Sequence, residues 1–412
     1  MPEITSLTGR ILYNSRGSKT IEIDIITDNK FLGRVCAPSG ASVGKYEAVS
    51  FPDGKPEQSL AIINENNKKF IGCDASDLKL IHDTIKSIDT SENYSEIGGA
   101  CAFAITIAAA ESTAKALDIP LYKMINKNDE LKFPFPIGNI LGGGAHAGPG
   151  TPDIQEILVA SIGAKTVREA IDMNLQVHKE LRKLIQKEDP YFTNGRGDEG
   201  GWAPKFDNEK ALEISTKAIE NLGFTLGKEI ALGVDFASST QWNEDKGKYI
   251  YDRAGFENDP GEQIEFAAEI IEKYKLIYAE DAVHEEAFDS MSELVSKFPK
   301  TMIVGDDLTV TNKDILKKAI KNKSCNAAIL KVNQAGSLYD ALEFAKVADD
   351  NNIKLITSHR SGESIDSQIS HIGIGTNSKM LKVGVVGGER IAKLNELIRL
   401  SEHDLIQGMA EV

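Results

Sequence analysis

Six ionisable residues, Asp235, Glu280, Asp306, Lys331, His359 and Lys382, each stand at the end of a short apolar run. Oxygen ligands from Asp235, Glu280 and Asp306 suit Mg²⁺, which takes carboxylates together with water and substrate oxygens; Mn²⁺ accepts the same donors. Three carboxylates drawn together repel one another, so a divalent ion is the simplest compensation, with Lys331 and Lys382 adding to it. In such an electropositive setting a lysine's pKa falls toward neutrality, which makes Lys331 a credible general base. The reaction this set suits is removal of a proton α to a carboxylate. Its difficulty is the extra charge formed on a group already anionic, and a metal ion with a neighbouring ammonium holds that charge.

Other segments supply further parts. Residues 197–201, Gly-Asp-Glu-Gly-Gly, read in isolation as a turn, but the glycines also let Glu199 approach a ligand closely. Gln155 and Glu156 follow a glycine-containing loop, 142–152, which includes His146 and suggests a flexible cover. In the run Ser358-His359-Arg360-Ser361-Gly362-Glu363, Arg360 and Ser361 suit a phosphate through a charged fork and a hydroxyl. An exposed salt bridge is the equally simple reading of Arg360. Residues 38–42, Pro-Ser-Gly-Ala-Ser, read as a tight turn, and His82, His178, His284, His371 and His403 read as structural or surface residues.

The elements that must position these groups repeat. Apolar runs at 230–234, 276–279, 302–305, 327–330, 355–358 and 380–381 lead into the six residues about every 23 to 45 positions, the length of one or two βα units. Helical patterns over 207–221, 261–274 and 337–348 alternate with them, with Asp207 as an N-cap and Gly223 as a stop. In a parallel barrel every strand opens its C-terminal end on one face, so groups remote in sequence converge on one mouth. A single such residue is explained by a strand meeting solvent; six in succession are not. A doubly wound open sheet is the main competing architecture, but no strand followed by Gly-x-Gly-x-x-Gly opens this region.

The N-terminal region differs. Ile21, Ile23 and Ile25 alternate with Glu22 and Asp24 as in a half-buried strand, and helices are predicted over 79–88 and 100–116. Polar residues 126–132 followed by Pro134 and Pro136 mark a boundary, giving an α+β domain at 1–128 and a β/α barrel at 129–412. With 41% apolar and 26% charged residues in 412, the composition is that of a soluble globular protein. A net charge of -15 disfavours nucleic acid and anionic membranes as partners, and it requires a local positive site for any anionic ligand. The most apolar stretch, 101–110, is far too short for a bilayer span and reads as a buried helix. Nothing in residues 1–10 marks the chain for export, and the scattered Cys36, Cys73, Cys101 and Cys325 read as free thiols; a cytoplasmic location is expected.

Taken together, the segments from Asn14-Ser15-Arg16-Gly17 to Glu389-Arg390 resemble the enolase family in its own order. The resemblance rests on residues 38–42, the His146 loop, Gln155-Glu156, 197–201, 234–239, 279–281, 305–312, 330–334 and 358–363. It implies an α+β cap on a (β/α)8 TIM-type barrel whose first two strands and helices depart from simple alternation. It also implies reversible dehydration of 2-phosphoglycerate to phosphoenolpyruvate, a homodimer or an assembly of dimers, and two magnesium sites. A lysine base with magnesium on the ene-diolate is the arrangement general to that superfamily. By resemblance, Asp235, Glu280 and Asp306 hold the tighter ion and Ser42 a second. Lys331 takes the C2 proton, and Glu199, assisted by Glu156, protonates the leaving hydroxyl. Lys382 meets the substrate carboxylate, Arg360 and Ser361 the phosphate, and Gln155, His146 and His359 line and close the pocket.

The chain departs from the family's pattern at Asn14, at Ser18-Lys19, at Ala282, in the His146 loop with Pro149 and Pro152, and over 383–388. None of these removes a proposed ligand or catalytic group. Two other readings stay open on the sequence: a related enzyme acting on a different sugar acid, and a binding protein that keeps the fold without the activity.

Overall fold

The computed structural model describes residues 1–41, 44–128, 130–403, 405–406 and 408–412. Its first unit is a three-stranded antiparallel sheet, β1 (Ile4–Tyr13), β2 (Lys19–Thr27) and β3 (Phe31–Cys36), followed by helices α1 (Pro56–Asn66), α2 (Leu78–Lys86), α3 (Gly99–Ala116) and α4 (Leu121–Ile125). The alternation in β2 is realised: Ile21, Ile23 and Ile25 are fully buried. Each such aliphatic side chain contributes on the order of 1.5–3 kcal/mol by leaving water. On the other face, Asp24 is clasped by Arg10 at 2.5 Å and Arg34 at 2.7 Å. Helix α3 is apolar all round and buries 15 of its 18 residues, which is what a helix enclosed by sheet and barrel requires. No helix among the described residues is long and apolar enough to cross a membrane.

The second unit is a closed eight-stranded barrel. Its strands in chain order are β4 (Phe135–Gly142), β5 (Glu156–Ala160), β6 (Ala231–Asp235), β10 (Tyr278–Glu280), β11 (Met302–Gly305), β12 (Ala327–Leu330), β13 (Lys354–Ser358) and β14 (Met380–Lys382). Between β6 and β10 the chain makes a small excursion, β7 (Trp242–Asn243), β8 (Lys248–Tyr251) and β9 (Phe256–Asn258). Helices α5 (Val167–Glu188), α6 (Asn208–Asn221), α7 (Pro260–Lys273), α8 (Phe288–Lys297), α9 (Lys313–Asn322), α10 (Val332–Ala335), α11 (Leu338–Asp350), α12 (Gln368–Gly375) and α13 (Gly388–Ser401) make up the rest of this unit. All six expected apolar runs are barrel strands, within a residue or two at their ends. Asp207 caps α6 by accepting the Lys210 N–H at 2.7 Å, and Gly223 follows its end at φ +80°.

The departure from simple alternation is β5, which runs antiparallel to both β4 and β6. Two strands therefore precede two helices before parallel βα repetition begins. The reversal decides what reaches the mouth. The parallel strands offer their last residues there, whereas β5 offers its first, so Glu156 stands beside Asp235 in register. The four cysteines carry free thiols.

Candidate active site

Going round the barrel, β6, β10 and β11 place Asp235, Glu280 and Asp306 on one arc, and β12 places Lys331 next to them. All three carboxylates are buried. Lys382 reaches in from β14, with Nζ 3.0 Å from Asp235, 2.6 Å from Glu280 and 3.5 Å from Glu156. Lys331 donates to Asp306, whose other oxygen accepts Gln334 Nε2 at 2.9 Å. Gln155 Nε2 points at Asp235 from 3.4 Å.

These neighbours set the charges. Burial and the Asp235 charge push the Glu280 carboxyl well above its ordinary range. Burial also works to raise Asp306, but Lys331 beside it brings it down to about 2. The converse holds for Lys331. Burial works to lower its pKa, yet the Asp306 carboxylate beside it prevails and raises it.

The donor set fits a hard divalent cation. Oxygens of Glu280, Asp281 and Asp306 lie within 4.8 Å of one another, and Glu280 Oε1 is buried without a hydrogen-bond partner. Lys331 and Lys382 leave this acidic group with net negative charge, which a divalent ion would offset. Asp281 lies in the 279–281 motif, but no ligand role was assigned to it there. At φ +41° it turns back to accept the N–H groups of Asp306 at 3.1 Å and Asp307 at 2.7 Å, so it shapes the strand ends beside it. Ser42, expected to hold a second ion, lies outside the described residues.

Across the barrel, β5 lies opposite β12, and a second cluster forms on its side. His146 Nδ1 is 3.3 Å from Glu156 and 3.9 Å from Glu199, while His359 Nε2 is 3.2 Å from the other Glu199 oxygen. All four are buried. Burial raises the Glu156 carboxyl. Burial also works to raise Glu199, but the imidazoles of His359 and His146 bring it well below the usual range. His146 is pushed up to about 9 because Glu199 and Glu156 outweigh burial, and burial holds His359 down at about 4. The four groups form one buried acid–histidine cluster.

A pH dependence follows. A histidine raised from 6.5 to about 9 contributes stability that is complete below pH 6.5 and is lost as the pH rises through about 9. Denaturant unfolding of the native chain is expected to weaken over that window by up to about 3 kcal/mol relative to His146→Gln. Parallel curves for the two proteins would refute the raised His146.

Two loops hold the cluster from outside. Gly384 passes so close that a Cβ there would lie 2.1 Å from the Glu199 carbonyl, and one at Gly200 would lie 2.4 Å from the Val386 carbonyl. The unusual segment 383–388 is therefore packed directly on the Glu199 loop. His178 stacks on Trp202 and donates from Nε2 to the Gly200 carbonyl at 3.0 Å, a structural role as expected. The His146 loop is tied down by Arg253 from the β8–β9 turn. Its guanidinium donates to the carbonyls of Thr151 at 3.0 Å, Pro152 at 2.8 Å and Gly144 at 3.2 Å.

After β13, Arg360 is buried and not the exposed salt bridge that was its simpler reading. It pairs with Glu47 of the N-terminal unit at 3.0 Å and with Asn333 at 3.1 Å. Ser361 Oγ beside it is buried and lacks a hydrogen-bond partner. The structure brings His146, Gln155, Glu156, Glu199, Asp235, Asp306, Lys331, His359, Arg360, Ser361 and Lys382 to one pocket, with Glu280 beneath it bonded to Lys382. Sequence reasoning missed Glu47, Asp281, Arg253 and Arg390. They act through backbone or through another side chain; Asp281 and Arg390 fall within segments that carry the resemblance, but nothing in those segments tells their roles.

A β/α barrel with an N-terminal cap, a carboxylate–lysine arc and an opposed acid–histidine cluster defines an enzyme of acid–base chemistry on small anions. Two family models match the chain, the enolase N-terminal domain over residues 4–125 and the enolase C-terminal TIM barrel domain over 130–409. Curated proteins named enolase are similar over nearly the whole length. That of Methanosphaera stadtmanae is 44% identical, covering 98% of each chain. That of Methanothermobacter thermautotrophicus is 43% identical, covering 98% of this chain and 97% of its own. That of Pyrobaculum aerophilum is 38% identical, covering 96% and 95%. The chain belongs to the enolase family.

Proposed function

We infer that this protein is a hydro-lyase, phosphopyruvate hydratase, which interconverts 2-phosphoglycerate and phosphoenolpyruvate in glycolysis and gluconeogenesis. The observation that carries the reading is the opposition of two proton-handling sets, Lys331 just after β12 and the Glu156–His146–Glu199 cluster beside β5, across one pocket. Dehydration needs a proton removed at C2 and a hydroxyl released at C3, and groups on facing walls serve the two carbons separately.

In this reading Lys331 takes the C2 proton, and Asp306 then holds the resulting ammonium. Lys382 faces the substrate carboxylate. Asp235, Glu280 and Asp306 hold Mg²⁺, with Mn²⁺ as a substitute, and Ser42 belongs to a second site. When bound, such an ion would supply positive charge beside the substrate carboxylate and would weaken the hold of Asp306 on the Lys331 proton. Glu199 delivers a proton to the departing hydroxyl from the cluster it shares with His146 and Glu156. Arg360 and Ser361 bind the phosphate; the buried, unsatisfied Ser361 hydroxyl supports that role. Gln155 and His359 line the wall between, and His146 carries the covering loop. The division of the chain at 1–128 and 129–412, a cytoplasmic location and a homodimer or assembly of dimers complete the reading.

Mixing the protein with 2-phosphoglycerate and Mg²⁺ is expected to produce enol-phosphate ultraviolet absorbance, and its absence at every metal concentration would reject the assignment. The phosphate role is tested separately. Arg360→Lys keeps the charge opposite Glu47 but loses the fork, and it is expected to raise KM by about 10- to 100-fold with kcat little changed. An unchanged KM would move phosphate binding elsewhere.

A further inference from the structure

Arg390, in the first turn of α13, is wholly buried, and its bonds run mainly to groups of the two facing loops and not to carboxylates. Its Nη1 donates to His359 Nδ1 at 2.8 Å and to the Arg360 carbonyl at 2.5 Å. Its Nη2 donates to the carbonyls of Asp198 at 3.0 Å and Ser361 at 2.7 Å. The N–H of Gly384 also points at His359 Nδ1, from 3.4 Å. A guanidinium and a backbone amide have hydrogens to give and no lone pair to offer. His359 Nδ1 is therefore the acceptor, and the neutral ring carries its hydrogen on Nε2, the nitrogen 3.2 Å from Glu199.

We propose that Arg390 is a positioning residue for the elimination half of the reaction: it fixes His359 as the Nε2–H tautomer facing Glu199 and ties the Asp198–Glu199 loop to the Arg360–Ser361 turn. The inference rests on Glu199 serving the leaving hydroxyl. The opposite tautomer would turn a lone pair toward a carboxylate oxygen, and the two would repel. With Nε2–H in place, the ring hydrogen faces one Glu199 oxygen across 3.2 Å, and the other oxygen is left toward His146 and the pocket. One guanidinium thus orients the acid group and the phosphate-binding turn at once, without touching substrate.

The test begins with the unmutated, Mg²⁺-loaded protein labelled with ¹⁵N-histidine. In a long-range ¹H–¹⁵N spectrum, with His359 assigned by its loss in His359→Gln, the ring is expected to show a bare Nδ1 and a protonated Nε2. A protonated Nδ1 overturns the proposal whether or not any Arg390 variant folds. In folded Arg390→Gln, the expected result is a mixed or reversed tautomer and elimination reduced by about 100-fold or more, with C2 hydrogen exchange within a few-fold of native. Arg390→Lys, which supplies a donor but not the fork, is expected to recover the tautomer in part. Equal loss of exchange and elimination, or a native tautomer in Arg390→Gln, would mark the arginine as merely structural. Glu199→Gln separates the two levels. If it eliminates normally, the underlying site reading fails; if it does not, while Arg390→Gln does, only the Arg390 inference fails.

Discussion

Lys331→Ala is expected to stop exchange of the substrate C2 hydrogen with solvent deuterium and to lower kcat by about 10⁴-fold, the upper end of what a positioned base contributes. The reason lies in the site's charge arrangement. The arc carries three buried carboxylates, and among the lysines lining the pocket only Lys331 stands beside Asp306 with Lys382 committed to Asp235 and Glu280. The substitution also leaves Asp306 without its ammonium partner, so folding must be verified by circular dichroism before the rates are compared. A folded variant that exchanges the C2 hydrogen at the native rate would show that the base is another group, and the arc would then be a binding surface only.

Glu199→Gln is expected to give the complementary result: C2 exchange kept within about 10-fold, and formation of the enol phosphate lowered by about 10³-fold. The amide preserves the shape of the side chain beside His359 and His146 but cannot pass a proton to a leaving hydroxyl. Loss of both activities in equal measure would mean that Glu199 serves binding or loop order and does not act in elimination.

The strand-end residues were legible because of one physical regularity. A parallel barrel puts every strand's last residue at one mouth, so apolar runs ending in Asp235, Glu280, Asp306, Lys331, His359 and Lys382 already describe the pocket. Glu156 could not be reached that way. It begins its strand, and only the antiparallel course of β5 brings it to the same face. For Lys331, residue types predict a positive neighbourhood, and the structure adds the Asp306 carboxylate as the partner of its ammonium. Arg360 was undecided between phosphate ligand and surface ion pair, and its burial against Glu47 removes the second option.

The roles of the groups that support the site were illegible. Arg253 and Arg390 bind main-chain carbonyls, and any residue supplies a carbonyl. Segment 383–388 looked like the place where the pocket departs from its family. Packed as it is, with Gly384 against the Glu199 carbonyl, it backs the loop that carries Glu199.

In the proposed reaction Lys331 and the carboxylate arc act together on a proton whose loss a divalent ion makes feasible. Proton NMR of 2-phosphoglycerate in deuterated water with the enzyme tests this directly. The C2 signal is expected to disappear when Mg²⁺ is present, to persist after thorough chelation, and to disappear again when Mg²⁺ is restored. Exchange that continues at the same rate in the chelated sample would contradict it.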